Sequence, residues 1–93
     1  MLTQHQIEII KNVTKKAEPT LVGVFGSYAR GEENVHNDMD ILIDFEQPLD
    51  LLELIGLEQE LSEELGIKVD LLTPRSIHQL LQPYIQKNFI KII

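Results

Sequence analysis

Two short stretches of this chain hold residue types whose spacing suits chemistry. Gly26-Ser27-Tyr28-Ala29-Arg30-Gly31 leaves a β-branched apolar run (Leu21, Val22, Val24, Phe25), and after five further residues comes Asn37-Asp38-Met39-Asp40-Ile41. A turn of small residues that leaves a strand and opens a helix presents backbone N–H groups without intrahelical acceptors, where an anion can sit. Asp38 and Asp40 stand two apart at the mouth of a second apolar run, Ile41-Leu42-Ile43, and alternation along a strand places both on one face of a sheet. Two carboxylates held that close repel unless a cation lies between them. A hard divalent ion, Mg²⁺ above all, prefers carboxylate oxygens and shares its coordination with a substrate's phosphates. The pattern therefore pairs an anion cradle with a metal clamp.

The elements that must position these residues follow from the pattern on either side. Thr3-x-x-Gln6 is a capping-box signature, and Ile7, Ile10 and Val13 recur at helical spacing, which predicts a helix from Thr3 to about Ala17 before Glu18-Pro19 ends it. A strand over Leu21 to Phe25 follows, with Gly23 in its interior marking a bulge or a close approach. Residues 32–37 are polar and without periodicity, a surface loop at the mouth of the site that includes His36. A second strand runs from about Met39 to Phe45. Asp50-x-x-Glu53 is another capping box, and Leu54, Leu57, Leu61 and Leu65 form an apolar stripe opposite Glu58, Glu60, Glu63 and Glu64, read as the wet face. That helix, expected to be the longest, stops at Gly66. Ile67 to Leu72 reads as a third strand in which Asp70 is costly unless paired, protonated or metal-bound. Thr73-Pro74 opens a helix through about Leu81. The tail from Pro83 to Ile93 reads as a last helix whose Phe89, Ile90, Ile92 and Ile93 need a covering surface, either the sheet or a partner protein.

Composition narrows the class. Ninety-three residues at 43% hydrophobic content suit one folded domain over residues 1–93. Fifteen acidic residues against 8 Lys plus Arg give a net charge of −7, which argues against direct nucleic-acid binding through a basic surface. There is no cysteine for a disulfide or thiolate site, and no apolar run approaches the ~20 residues of a membrane span. A cytoplasmic protein without a membrane role is expected.

Strand, Gly-Ser turn, Asp-x-Asp strand and a later strand with one more Asp resemble the nucleotidyltransferase superfamily that includes the DNA polymerase β palm. The similarity is closest to its minimal nucleotidyltransferase (MNT) antitoxins, which pair with HEPN-domain toxins and carry Gly-Ser-x-Ala-Arg-Gly, five residues, then Ser-Asp-x-Asp-Leu. Here Asn37 replaces the serine and Ile41 the leucine, a small capping residue and a buried apolar one. The resemblance implies an α/β (α+β) fold with a small mixed sheet flanked by helices. It further implies that Asp38, Asp40 and Asp70 converge to hold two Mg²⁺ ions. Gly26 and Ser27 would hold the β- and γ-phosphates of ATP, and Asp70 would help deprotonate the attacking hydroxyl. Arg30 either contacts a phosphate or pairs locally and fixes the turn; a guanidinium suits both.

Alone, each feature has a plainer reading. A Gly-Ser turn after a strand is usually just a turn, an Asp-x-Asp pair is usually solvated, and Asp70 alone is a strand-edge charge. Only their joint spacing supports the site. The expected function is transfer of AMP from ATP to a hydroxyl, a tyrosine, of a cognate HEPN RNase toxin, within a hetero-oligomer. The alternative is an antitoxin that neutralises the toxin by binding alone.

Overall fold

The computed structural model describes residues 2–31, 38–47, 49–77, 83, 85 and 88–93, and the fold is built from these. Helix α1 spans Gln4–Lys15. Its cap is the reciprocal pair foreseen: Gln6 N–H donates to Thr3 Oγ1 at 3.1 Å and Thr3 N–H to Gln6 Oε1 at 2.9 Å. The helix stops two residues short of Ala17. Glu18, which the following Pro19 keeps out of right-handed helical backbone, turns the chain at φ 52.

Strand β1 (Leu21–Phe25), the one-turn helix α2 (Ser27–Arg30) and strand β2 (Met39–Asp44) follow in order. Helix α3 (Leu51–Leu65) is the longest described helix, with Asp50 Oδ1 accepting from Glu53 N–H at 2.8 Å and Gly66 closing it at φ 71. Strand β3 (Val69–Leu72) lies beside β2, and a short β4 (Ile90–Lys91) completes a four-stranded sheet in the order β3-β2-β1-β4. β1 is antiparallel to both β2 and β4, while β2 and β3 are parallel, so the sheet is mixed, as the resemblance implied. The parallel pair requires a crossover, and α3 is that crossover.

One face of the sheet carries Val22, Val24, Met39, Ile41 and Ile43, all fully buried, together with Val69 and Leu71. Ile10 and Val13 of α1 and Leu57 and Leu61 of α3 close over it in one contiguous cluster. The α3 stripe read from the sequence is the packed one, with Leu54 and Leu65 at its margin. Each large aliphatic side chain removed from water here contributes about 1.5–3 kcal/mol. Thr14, a fully buried polar residue, is satisfied by donating to the Ile10 carbonyl at 2.7 Å.

The C-terminal part departs from expectation. A helix to Ile93 is not formed: Ile90 and Lys91 pair with Val24 and Gly23, and the Ile92 and Ile93 N–H groups donate to the Val22 carbonyl at 2.7 and 3.0 Å. Three isoleucines and a phenylalanine favour extended backbone, and the outer edge of β1 offers donors and acceptors a helix could not meet. Pro83 and Ile85 are helical, and residues 84, 86 and 87 lie outside the described set. Of the two covering surfaces considered for the tail, the sheet is the one it uses. Gly23 is the close approach anticipated, since a Cβ there would land in the Phe89 ring. The helix expected from Pro74 to Leu81 is a single 3₁₀ turn, Pro74–Ser76. The Ser76 hydroxyl takes up both polar groups of Thr73, accepting from its N–H at 3.0 Å and donating to its carbonyl at 2.8 Å, and Ile77 returns to ψ 128; residues 78–82 are outside the described set.

Candidate functional site

The site is assembled at the end of the sheet where β1 finishes and β2 and β3 begin. Register sets Phe25 opposite Asp40, so Gly26, the next residue, arrives beside the Asp40 side chain. Gly26 holds φ 73 and ψ −148, a region that side-chain-bearing residues avoid, and a Cβ at this position would collide with the Asp40 carboxylate. Glycine is thus required twice over, by backbone conformation and by space. The single turn of α2 then presents its first N–H groups, with Ser27 leading, and Gly31 ends it in the left-handed region at φ 73. With four residues α2 has no appreciable macrodipole, so an anion here would depend on N–H and hydroxyl donors alone. Tyr28, 7% exposed, plugs into the core and anchors this turn; sequence reading gave it no role, although an aromatic amid small residues was the available signal.

The carboxylates stand on the strand starts. Asp40 and Asp70 are direct partners in the parallel β2–β3 register and therefore project from the same face, with strands about 4.8 Å apart. Asp38 precedes β2 by one residue, and its Oδ2 lies 3.7 Å from the Lys68 ammonium, a loose, solvent-exposed pair. The Asp40 carboxyl is held above its ordinary value of 3.8, first by burial, then by the charges of Asp70 and of Asp38, with Arg30 pulling the other way. Asp38, Asp40, Asp70 and Arg30 therefore share one electrostatic neighbourhood. Among the described residues no group of three or more His, Cys, Asp or Glu side chains is placed to hold a metal ion. The donor set still fits a hard cation, because it is all carboxylate oxygen and its central member is destabilised by its neighbours' charge.

Two residues acquire places that the sequence did not suggest. Lys68 was undistinguished within its strand candidate, yet β2–β3 pairing sets it beside Asp38. Glu58, read as part of the wet face of α3, instead accepts from the Leu71 N–H at 2.8 Å. Arg30 is engaged within the structure, which is compatible with either of its two readings. The loop of residues 32–37, including His36, is outside the described set. A groove between the end of α1 and the start of α3 is a poor phosphate site, because Glu53 and Glu60 line it and its Lys16 is already paired with Glu60.

Comparison with known proteins agrees with this layout. The profile of the family described as nucleotidyltransferase domain matches residues 7–92. A Methanocaldococcus jannaschii relative, MJ1217, provisionally named a protein adenylyltransferase, is 49% identical over 78 residues, which cover 84% of this chain and 76% of the relative. Protein adenylyltransferase MntA of Thermococcus cleftensis is 43% identical over 82 residues, 83% of each chain. Among solved structures, a chain of a toxin–antitoxin complex with AMP-PNP superimposes with a TM-score of 0.84 at 25% identity, over 94% of this chain and 72% of that one. A chain from the complex of tri-AMPylated Shewanella oneidensis HEPN toxin with MNT antitoxin shares the fold, with a TM-score of 0.79 at 23% identity over 99% of this chain and 72% of that one. A profile match across nearly the whole chain, relatives above 40% identity and a glycine turn packed on an Asp-bearing strand lead to one assignment: this chain belongs to the nucleotidyltransferase domain family.

Proposed function

We propose that this chain is an antitoxin that transfers AMP from ATP to a tyrosine hydroxyl of a cognate HEPN RNase toxin in the cytoplasm, acting as one domain over residues 1–93. The observation that carries the reading is the packing of Gly26 against the Asp40 carboxylate, with Asp70 opposite Asp40 in register. A turn with free N–H donors packed against an acid-bearing strand would suit a triphosphate together with a divalent cation that neutralises its charge. The relatives named protein adenylyltransferase and the AMP-PNP complex support ATP and a protein acceptor.

In this reading the Gly26 and Ser27 N–H groups and the Ser27 hydroxyl hold the β- and γ-phosphates. Arg30 offsets negative charge beside them. The acceptor oxygen attacks the α-phosphorus as the bond to the β-phosphate oxygen breaks, and pyrophosphate leaves. Asp70 takes the hydroxyl proton. Asp38, Asp40 and Asp70 would hold two Mg²⁺ ions, which when bound neutralise charge on the attacking and leaving oxygens.

The test is incubation of the chain with ATP, Mg²⁺ and the toxin encoded beside it, with mass spectrometry of the toxin for added AMP. An adduct that persists with Asp40→Ala would refute the mechanism. A second reading, neutralisation by binding alone, has its own support in α3. Leu51 and Leu52 are 70% and 81% exposed, and Asp50 and Glu53 flank them, a surface suited to a cationic RNase. If Asp40→Ala still protects cells from the toxin through a stoichiometric complex, binding is the function; loss of protection assigns it to transfer.

A further inference from the structure

Strand β3 is an edge strand, and in its parallel pairing with β2 alternate residues point their backbone groups inward and outward. Lys68 marks the inward phase, since its carbonyl accepts from Met39 N–H at 2.9 Å. Asp70 is therefore in the inward phase too, while the N–H groups of Val69 and Leu71, on either side of it, face away from the sheet. Neither is left to water. Val69 N–H donates to Ser62 Oγ at 3.0 Å and Leu71 N–H to Glu58 Oε2 at 2.8 Å.

The two acceptors are four residues apart on α3 and so lie on one helical face. Four helical residues advance about 6.0 Å, and two strand residues advance about 6.6 Å, so helix and strand keep step as they run in opposite directions. The neighbouring Leu57 and Leu61, 6% and 0% exposed, fix α3 on the core, which fixes the acceptors. Asp70 is thus gripped by β2 through its own backbone on one side and by α3 through both its neighbours on the other.

We propose that Glu58 and Ser62 are positioning residues for the third carboxylate: they hold the backbone of residues 69–71 so that Asp70 stays opposite Asp40. This rests on the role given to Asp70 above. A purely structural cap on an edge strand would protect β3 from pairing with other chains and change stability only. Positioning predicts more, because displacing a reacting group by about 1 Å costs on the order of 100-fold in rate.

The experiment compares Glu58→Gln, whose amide oxygen can accept the same N–H, with Glu58→Leu, which keeps bulk and removes the acceptor. Both are assayed as full chains well below their melting temperatures. We expect Glu58→Leu to lower kcat for AMP transfer by about tenfold or more with KM for ATP within about threefold, and Glu58→Gln to restore most of it. Amide exchange should quicken at Leu71 in Glu58→Leu and not in Glu58→Gln. Titration with Mn²⁺ alone, followed by paramagnetic broadening, should weaken selectively at Asp70 in Glu58→Leu while Asp40 stays broadened. Wild-type kcat and wild-type broadening in Glu58→Leu, with the Leu71 amide exchanging freely, would overturn the proposal. If Glu58→Leu does not fold, Ser62→Ala removes the companion acceptor and is read in the same way at Val69. Should the wild type itself transfer no AMP, the functional reading fails while the Mn²⁺ comparison still decides the positioning role. Should the wild type bind no Mn²⁺, the metal assignment fails and the kcat comparison decides.

Discussion

The two faces of the sheet are built on opposite terms. The face under α1 and α3 is closed and apolar, with Val22, Val24, Ile41 and Ile43 fully buried against Ile10 and Leu61. Its contacts reinforce one another. The other face carries Asp40 and Asp70 side by side at one end and gives Gly23 up to the Phe89 ring. Like charges a strand apart cost the fold stability, and the stability to bear this comes from the first face. Residues on the two faces should therefore fail in opposite ways when changed.

Asp40→Asn should show the largest effect. Under the proposed mechanism its loss is expected to lower AMP transfer by about 10²–10³ or more, a scale typical of removing one electrostatic contact to a transition state, read as initial rates on the toxin. The same change should raise the melting temperature of the metal-free protein at neutral pH. The Asp40 carboxyl is raised, so its contribution to stability is fully present below 3.8 and is lost as pH climbs through the folded-state value. The advantage of Asp40→Asn should accordingly close as the buffer is taken below 3.8, and a gap independent of pH would show that charge is not its cause.

Leu61→Ala attacks the opposite face. It should cost about 2–5 kcal/mol in urea denaturation and leave kcat near wild type at temperatures where the protein is folded. An equal loss of kcat would mean that the faces are not separable. Gly26→Ala joins both penalties at one atom: roughly 1–3 kcal/mol of backbone strain, and a collision that displaces Asp40. It should lower both the melting temperature and the rate, whereas Gly31→Ala, with open space around the added methyl, should lower stability alone. Asp50→Ala should have the smallest effect, a slight loss of α3 stability with transfer unchanged. The Glu53 N–H lowers the Asp50 carboxyl, so this cap is present above 3.8 and fades as pH falls through the folded-state value. The difference from wild type should vanish in acid.

Much of this was legible in the sequence, for reasons that differ by residue. Thr3, Asp50 and Gly66 act within a turn of helix, so their capping roles need no tertiary information. β1 and the start of β2 were read from apolar runs bounded by glycine and by Asp38. Gly23 could be seen to matter, though its occupant could not, because Phe89 comes from 66 positions later in the chain. The strand at Ile90 was missed because its extended form depends on the edge of β1, a long-range demand that a local pattern does not carry. Glu58 was missed for a related reason: a glutamate on a helix opposite a leucine stripe has the same local signature whether it meets water or the edge of a sheet. The pairing of Asp38 with Lys68 depends on β2–β3 register, which no single segment reveals.

Phe25 and Asp40, the residues that bring glycine turn and acid together, are partners in one antiparallel pair closed by only fourteen intervening residues. The cradle and the first acids therefore belong to a near-local hairpin, whereas Asp70 must wait for the crossover. Doubling the length of such a connection costs only about 0.6 kcal/mol in closure entropy. Evolution or an engineer can accordingly lengthen and rewrite the segment between the two halves without dismantling the hairpin that holds them.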